Sequence, residues 1–351
     1  MNKLLLGTTA LVAAGMISSG AMAADKIKMG VGGYFQISNA FGDLDDDDDK
    51  RDHLMSEEGE IIFNGSTTLD NGIQVGVQVQ LEAQTCSDQI DEHFMWFSGG
   101  FGRVNLGGEN SAAYLMAYAS AAPSHWSHGV NSPNFSHTGI GLTTAIDISS
   151  DSQKITYFTP RMAGFQLGVS YTPENDEAGS GDGYNSSYSG FPADNEVDEQ
   201  SEIIEVGVNY VNKFDNVSVA ISGGYATADL EAEGAMTDDQ EMWNVGAQIG
   251  FMGFTVGGAY KNNDQGMDSD EETWNVGVRY ATGPWGVGVQ YTHVELDDSD
   301  GELDATEIGG SYAFGPGMLV MAGIQFWDND EYSSSSQGDS TIVFLGTHVS
   351  F

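Results

Sequence analysis

Apolar and polar residues alternate one by one in two neighbouring hairpins between residues 241 and 295. Alternation with a period of two places one set of side chains on each face of a β-strand. The short turns Phe251-Met252-Gly253 and Thr282-Gly283-Pro284 divide the two hairpins. The pattern therefore predicts four antiparallel strands, each with one apolar face. The positions of these apolar faces are Trp243, Val245, Ala247, Ile249, Phe251, Phe254, Val256, Gly258, Tyr260, Trp274, Val276, Val278, Tyr280, Trp285, Val287, Val289 and Tyr291.

The apolar faces carry aromatic residues at both ends and small aliphatic residues between them. From Trp274 to Tyr280 a strand spans roughly 20 Å, somewhat short of the apolar band of about 25 Å on a membrane barrel but compatible with it. The opposite face carries Gly, Asn, Gln, Lys and Arg, which suits contact with water. The pattern favours lipid outside and water inside. The alternative is a soluble β-sandwich with one solvated face.

Sixteen segments of this kind occur along the chain, and short turns alternate with longer connections between them. This plan is typical of a transmembrane β-barrel. The barrel must be closed, because an open sheet edge in lipid would leave backbone groups unpaired. Sixteen strands enclose a channel wide enough for water. We therefore predict an all-β fold, a 16-stranded antiparallel transmembrane β-barrel.

Residues 24–351 are predicted to form this single barrel domain, and residues 1–23 a cleaved signal peptide. Lys3 precedes a largely apolar stretch, and Ala21-Met22-Ala23 matches a cleavage site. The rest of the sequence contains no run of 18 or more apolar residues, so no membrane-spanning helix is predicted. The alternation stops between residues 110 and 151, and so long a connection is usually functional or disordered.

The chain is strongly acidic, with 52 acidic against 11 basic residues and a formal net charge of −41 at pH 7. Such a protein disfavours nucleic acid and attracts cations. Most of the acidic residues lie in six of the longer connections, at one end of the predicted barrel. We predict that their summed field makes the channel cation-selective. The alternative is that these residues only solvate the loops.

Residues 98–109, SGGFGRVNLGGE, are similar to the turn and third-loop entry of the general diffusion porins of Gram-negative bacteria, particularly the α-proteobacterial type. Residues 155–165 resemble the next hairpin of that family, and Phe351 its barrel-assembly signal. The resemblance implies short periplasmic turns, long extracellular loops and a homotrimer in outer-membrane lipid, inserted by the barrel assembly machinery. It also implies that the third loop, 110–151, folds inward as a constriction. Small hydrophilic solutes and ions would then diffuse passively through the pore.

In that family, acidic residues on the third loop face basic residues on the barrel wall. Here the acids in or beside the loop are few, the wall bases are scattered, and strand two adds acids of its own. We therefore expect only a weak field across the pore. The candidate constriction and lumen residues are Arg103, Glu109, Asp147, Asp151, Lys154, Lys261, Arg279, Glu58, Glu60 and Glu82.

Other functions are weaker interpretations, and we predict no enzyme and no cofactor. The acidic runs at 45–49 and 297–300 lack the spacing of an EF-hand, so only weak Ca²⁺ binding is predicted there. His125, His128 and His137 make a poor zinc pattern. A barrel-embedded hydrolase would need a nucleophile motif that the sequence does not show. A substrate-specific channel is the nearer alternative, although most aromatic residues follow the outward parity.

Overall fold

The structure, a computed structural model, describes residues 26–44, 51–84, 89–132, 137–175, 195–267, 269–297, 301–330, 332 and 339–351. Within these ranges sixteen strands form one closed antiparallel barrel, in which each strand pairs with its sequence neighbours and the first pairs with the last. The predicted fold is therefore confirmed. The predicted signal peptide and the acidic run 45–49 lie outside the described residues. The strands are β1 (Lys28–Leu44), β2 (His53–Thr68), β3 (Gln74–Glu82), β4 (His93–Gly99), β5 (Gly102–Gly108), β6 (Gln153–Phe158), β7 (Phe165–Glu174), β8 (Gln200–Phe214), β9 (Val217–Leu230), β10 (Gln240–Phe251), β11 (Phe254–Asn263), β12 (Glu271–Thr282), β13 (Trp285–Leu296), β14 (Glu302–Gly315), β15 (Met318–Asp330) and β16 (Ser340–Ser350).

Tight turns join alternate strand pairs at one end of the barrel. In the turn between β10 and β11, φ is 49° at Met252 and 90° at Gly253. This left-handed conformation gives a two-residue hairpin turn that matches the twist of its strands. The longer connections all leave from the opposite end, so the barrel has a turn end and a loop end.

Several strands are longer than the apolar alternation predicts. In β1 the regular alternation of the sequence ends at Ser38, but the strand continues to Leu44. In β14 the alternation begins at Ile308, but the strand begins at Glu302. Beyond the regular alternation the backbone ladder still pairs, as Asp43 does with Thr341, but polar residues such as Asn39 and Asp43 now occupy most outward positions, with Phe41 as an exception. The alternation therefore ends before the strand does. The wall is lower over β3 to β6, which have only 9, 7, 7 and 6 residues.

The two faces of the strands have opposite chemistry. Val276 and Trp285 on the outer face are 45% and 59% exposed. Asn275 and Gln290 on the inner face are polar yet buried. Burial of inward polar side chains means that other parts of the chain cover them inside the barrel. Among the described residues, no helix is both long and apolar enough to cross a membrane.

Candidate pore constriction

The described parts of the third loop, 110–132 and 137–151, run along the inner wall of the barrel, as predicted. Ser111 caps a helix of five residues, α1 (Ala112–Met116), by accepting a hydrogen bond from the Tyr114 backbone N–H. Beyond α1 the loop crosses successive strands and bonds to their inward side chains. Its hydrogen bonds to the wall join Ala112 N to Ser170 Oγ at 2.9 Å, Tyr118 N to Ser222 Oγ at 2.9 Å, Ser120 N to Asn275 Oδ1 at 3.1 Å, Ser124 Oγ to Glu307 Oε1 at 2.6 Å and Gln325 Nε2 to His128 O at 2.6 Å.

Two apolar clusters hold the loop against the wall. In the first, Val130 and Leu142 of the loop pack with inward residues near the loop end, among them Phe344 of β16. In the second, Ile146 of the loop packs with Ile203 of β8. Full burial of a large apolar side chain contributes about 1.5–3 kcal/mol. The loop is therefore a packed inner layer of the barrel.

Lys154 joins the two ends of the third loop. Its Nζ donates to the carbonyl oxygen of Glu109, to that of Ser150 at 2.7 Å and to that of Ser152 at 2.8 Å. Lys154 and Glu109 are each only 3% exposed. We expected both side chains to line the pore, but the structure places them beneath the loop. The ammonium lies there because the ends of the loop present several carbonyl groups that would otherwise lack donors.

The acids at the base of the loop carry less charge than their number suggests. Burial raises the pKa of Glu109 to about 7. Burial, together with the nearby carboxylates of Glu92 and Asp91, raises the pKa of Asp151 to about 9. Asp147 lies in the same acidic surroundings and contributes to the shift at Asp151. Glu109 and Asp151 therefore bind protons near neutral pH and add little to the field of the pore.

Aromatic and imidazole rings gather where the tip of the loop meets β1 and β16. The rings of Trp126 and Tyr34 are nearly perpendicular with centroids 5.7 Å apart, and His348 stacks on Tyr34 at 5.3 Å. His125 contacts both Trp126 and His348, at 5.2 Å and 4.5 Å. His128 and His137 pack against Phe344 instead, each at 5.2 Å. The three loop histidines thus take part in ring packing.

Burial keeps the loop histidines neutral. It lowers the pKa of His125 to about 3, with His348 and Arg279 nearby adding to the effect. It lowers the pKa of His128 to about 2 and that of His137 to about 4. A neutral tip can pack against the wall without charged groups that would need water or counterions.

Carboxylates line the wall of β2 and β3. The hydroxyl of Tyr34 donates to Glu58 Oε1 at 2.7 Å and to Glu60 Oε1 at 2.9 Å, and Gln36 also donates to Glu58. One carboxylate oxygen from each of Glu60, Glu82 and Asp91 lies within 4.8 Å of the other two. The predicted residues Glu58, Glu60 and Glu82 are therefore brought together.

The predicted wall bases are kept apart. Arg103 lies over the ring of Trp96 at 4.7 Å and donates to Asn105 at 2.6 Å. Arg279 donates to Ser311 at 3.3 Å. Lys261 forms an ion pair with Glu271 at 3.3 Å. Arg103 and Arg279 both lie near the turn end of their strands, away from the loop end.

Two residues of the site were not predicted from the sequence. The alternation places Tyr34 on the inward face of β1, but its bonds to Glu58 and Glu60 depend on the register between strands. Trp126 lies in a segment without alternation, where no pattern indicates which way a side chain points.

The sequence profile of the Gram-negative porins matches residues 7–332. The chain belongs to this family. As a porin, it forms a diffusion channel of the outer membrane. No curated protein sequence matches this porin significantly.

Solved porin structures share the fold at low sequence identity. The anion-selective porin from Comamonas acidovorans superposes with a TM-score of 0.66 at 16% identity, covering 93% of this porin and 100% of that chain. OmpT of Vibrio cholerae in its trimer form gives 0.60 at 15%, covering 92% and 99%. A mutant of the Rh. blastica porin gives 0.59 at 18%, covering 92% and 100%. The similarity extends over almost the whole barrel.

Proposed function

We propose that this porin is a cation-selective, water-filled channel for the passive diffusion of ions and small hydrophilic solutes. One observation carries the proposal. Glu58 and Glu60 face the lumen, and neither forms an ion pair with a basic side chain of the described residues. Their hydrogen-bond partners are the uncharged groups of Tyr34 and Gln36. The wall beside the third loop is therefore a source of negative potential.

The lumen bases do not compensate this potential. Lys154 is bonded to carbonyl groups beneath the loop, and Lys261 is paired with Glu271. Arg103 lies near the turn end over the ring of Trp96, and Arg279, also near the turn end, is close to His125 of the loop tip and bonded to Ser311. A charge next to a narrow pore with low-dielectric walls acts more strongly than the same charge in bulk water. Wall carboxylates therefore attract cations and repel anions in the part of the pore beside the third loop.

Acidic loops add to the effect at the mouth. Most of the 52 acidic residues lie in the long connections, so an entering ion first meets a negative field. Fold similarity to an anion-selective porin at 16% identity does not oppose this proposal. Selectivity depends on the side chains that line the pore, and these differ between chains of the same fold.

We further propose export through a cleaved signal peptide, 1–23, and assembly as a homotrimer. One of the similar structures, OmpT of Vibrio cholerae, is a trimer form. The low wall of β3 to β6 also carries exposed apolar side chains, such as Met95 and Ile155. We also propose Phe351, whose side chain is 66% exposed, as the signal that the barrel assembly machinery recognises. Mass determination of the detergent complex, with N-terminal sequencing, tests both points.

Reversal potentials in dilute KCl gradients across planar bilayers test the selectivity. The wild-type channel should prefer K⁺, and the variant E58Q/E60Q/E82Q should lose much of that preference. Glu57→Gln, on the same strand but facing outward, is the matched control and should behave like the wild type. An anion preference in the wild type, or an unchanged potential in the triple variant, contradicts the proposal.

A further inference from the structure

Trp126 at the tip of the third loop keeps 43% of its surface exposed, whereas its neighbours Ser127 and His128 are buried. The exposed surface faces the lumen, because the loop on both sides of the ring is bonded to inward side chains and therefore lies inside the barrel. Removing apolar surface from water is favourable, so a solute that covers the exposed part of the ring gains free energy. An indole in the wall of a pore is therefore a surface on which passing solutes can stack.

The indole is held in a fixed orientation. The ring of Tyr34 lies 5.7 Å from it and nearly perpendicular to it, and the ring of His125 lies 5.2 Å from it. The loop on both sides of it is anchored, through Ser124 to Glu307 at 2.6 Å and through Ser127 to Gln36 at 3.0 Å. A side chain held in this way loses little conformational entropy when a ligand stacks on it.

The same Tyr34 that contacts Trp126 also holds two carboxylates. Its hydroxyl donates to Glu58 and Glu60, so one tyrosine contacts both the indole ring and two carboxylates. Glu60 is only partly buried, which leaves it accessible from the lumen. The face of an indole attracts cations through its quadrupole, and a carboxylate attracts them through its charge.

We propose that Trp126, Tyr34 and Glu60 form a subsite in the pore for organic cations that combine an ammonium group with an aromatic or aliphatic body. The assignment rests on the proposed channel function and names its preferred class of solute. The body of the solute stacks on Trp126 while its cationic group lies between the indole face and Glu60. Small inorganic cations use the carboxylates alone, and aromatic anions are repelled by them.

The test is block of K⁺ current through the full-length protein in planar bilayers by benzyltrimethylammonium, with benzenesulfonate as an aromatic ion of opposite charge. The cation should block at concentrations where the anion does not. Trp126→Ala should raise the half-blocking concentration by about threefold to tenfold, the range expected for loss of one cation–π contact. Glu60→Gln should raise it as well.

Two controls separate the subsite from general effects. Trp285→Ala removes an exposed tryptophan on the outer face and should leave the block unchanged. Trp126→Leu keeps an apolar side chain and the packing of the loop, so it tests the ring itself if the alanine variant folds poorly. It should weaken the block like Trp126→Ala.

The outcomes separate this proposal from the proposed selectivity. Equal block of wild type and Trp126→Leu, or equal block by the cation and the anion, overturns the subsite even if KCl reversal potentials show cation preference. Block that depends on Trp126, combined with an anion preference in KCl, supports the subsite and overturns the proposed selectivity.

Discussion

Lys154 on β6 donates a hydrogen bond to the backbone carbonyl of Glu109, 45 positions earlier in the chain. With its bonds to Ser150 and Ser152, this contact joins the beginning of the third loop to its end. One ammonium group serves both ends because the strands that flank the loop, β5 and β6, are paired neighbours. The base of the loop is therefore closed by a single side chain.

Replacing Lys154 by methionine should loosen the loop without opening the barrel. The substitution keeps the bulk of the side chain but leaves several buried carbonyls without a donor, at roughly 1–3 kcal/mol each. We expect larger open-channel current fluctuations and closure at lower voltage. Lys154→Arg, which keeps charge and donors, should restore most of the wild-type behaviour. Open-channel fluctuations as small as those of the wild type in the methionine variant would show that Lys154 does not hold the loop in place.

Leu142→Ala should weaken the docking of the loop through the apolar cluster near the loop end. Leu142 is 4% exposed and packs with Val130 and Phe344. Removal of a buried leucine side chain typically costs about 2–5 kcal/mol. We expect faster cleavage of the loop by added protease in the folded protein. Leu115→Ala, at an exposed loop position, is the matched control and should be cleaved at the wild-type rate.

Added salt should reduce the preference for cations in two steps, first at the exposed loops and then at the wall carboxylates. The Debye length falls from about 10 Å at 0.1 M to about 3 Å at 1 M, so the field of exposed loops is screened first. Glu58 is only 6% exposed and should be screened less. At a constant KCl ratio, the wild type should keep a residual preference at high salt that the E58Q/E60Q/E82Q variant lacks. Complete loss of preference in the wild type would assign selectivity to the loops alone.

Acid should loosen the tip of the loop. Burial lowers the pKa of His125, His128 and His137 to about 3, 2 and 4, below the usual value of about 6.5. An undocked tip therefore binds more protons below pH 6.5 or so, and docking weakens as pH falls from there towards about 4. We expect current fluctuations to rise across this window.

The base of the loop should respond in the opposite direction. Glu109 and Asp151 have raised pKa values, so their protonation favours the docked loop in acid, and docking weakens as pH rises.

The histidines of the tip are the expected cause of the acid-induced fluctuations, so the variant H125N/H128N/H137N should lose them. Fluctuations that persist unchanged in this variant would show that the tip histidines are not their cause.

The alternation of residues such as Trp274, Val276 and Val278 with Asn275 and Gly277 determined the barrel from the sequence alone. A strand between lipid and water has only one way to place each side chain, so period and chemistry together specify strand, face and closure. The same reasoning placed Glu58, Glu60 and Glu82 on the inner wall, because parity alone decides that. It did not predict the full length of β1 or β14, since the apolar signal ends with the lipid band while hydrogen bonding continues.

Only the tertiary structure decided what the third loop does. Trp126, His125 and His137 lie in a segment without periodicity, and their partners Tyr34, His348 and Ser38 are far away in the chain. Lys154 has inward parity like a pore residue, yet the loop covers it and turns it into a structural contact. Local pattern reports which face a residue occupies. Whether that face meets water, or another part of the chain, depends on contacts between distant segments that no local pattern contains.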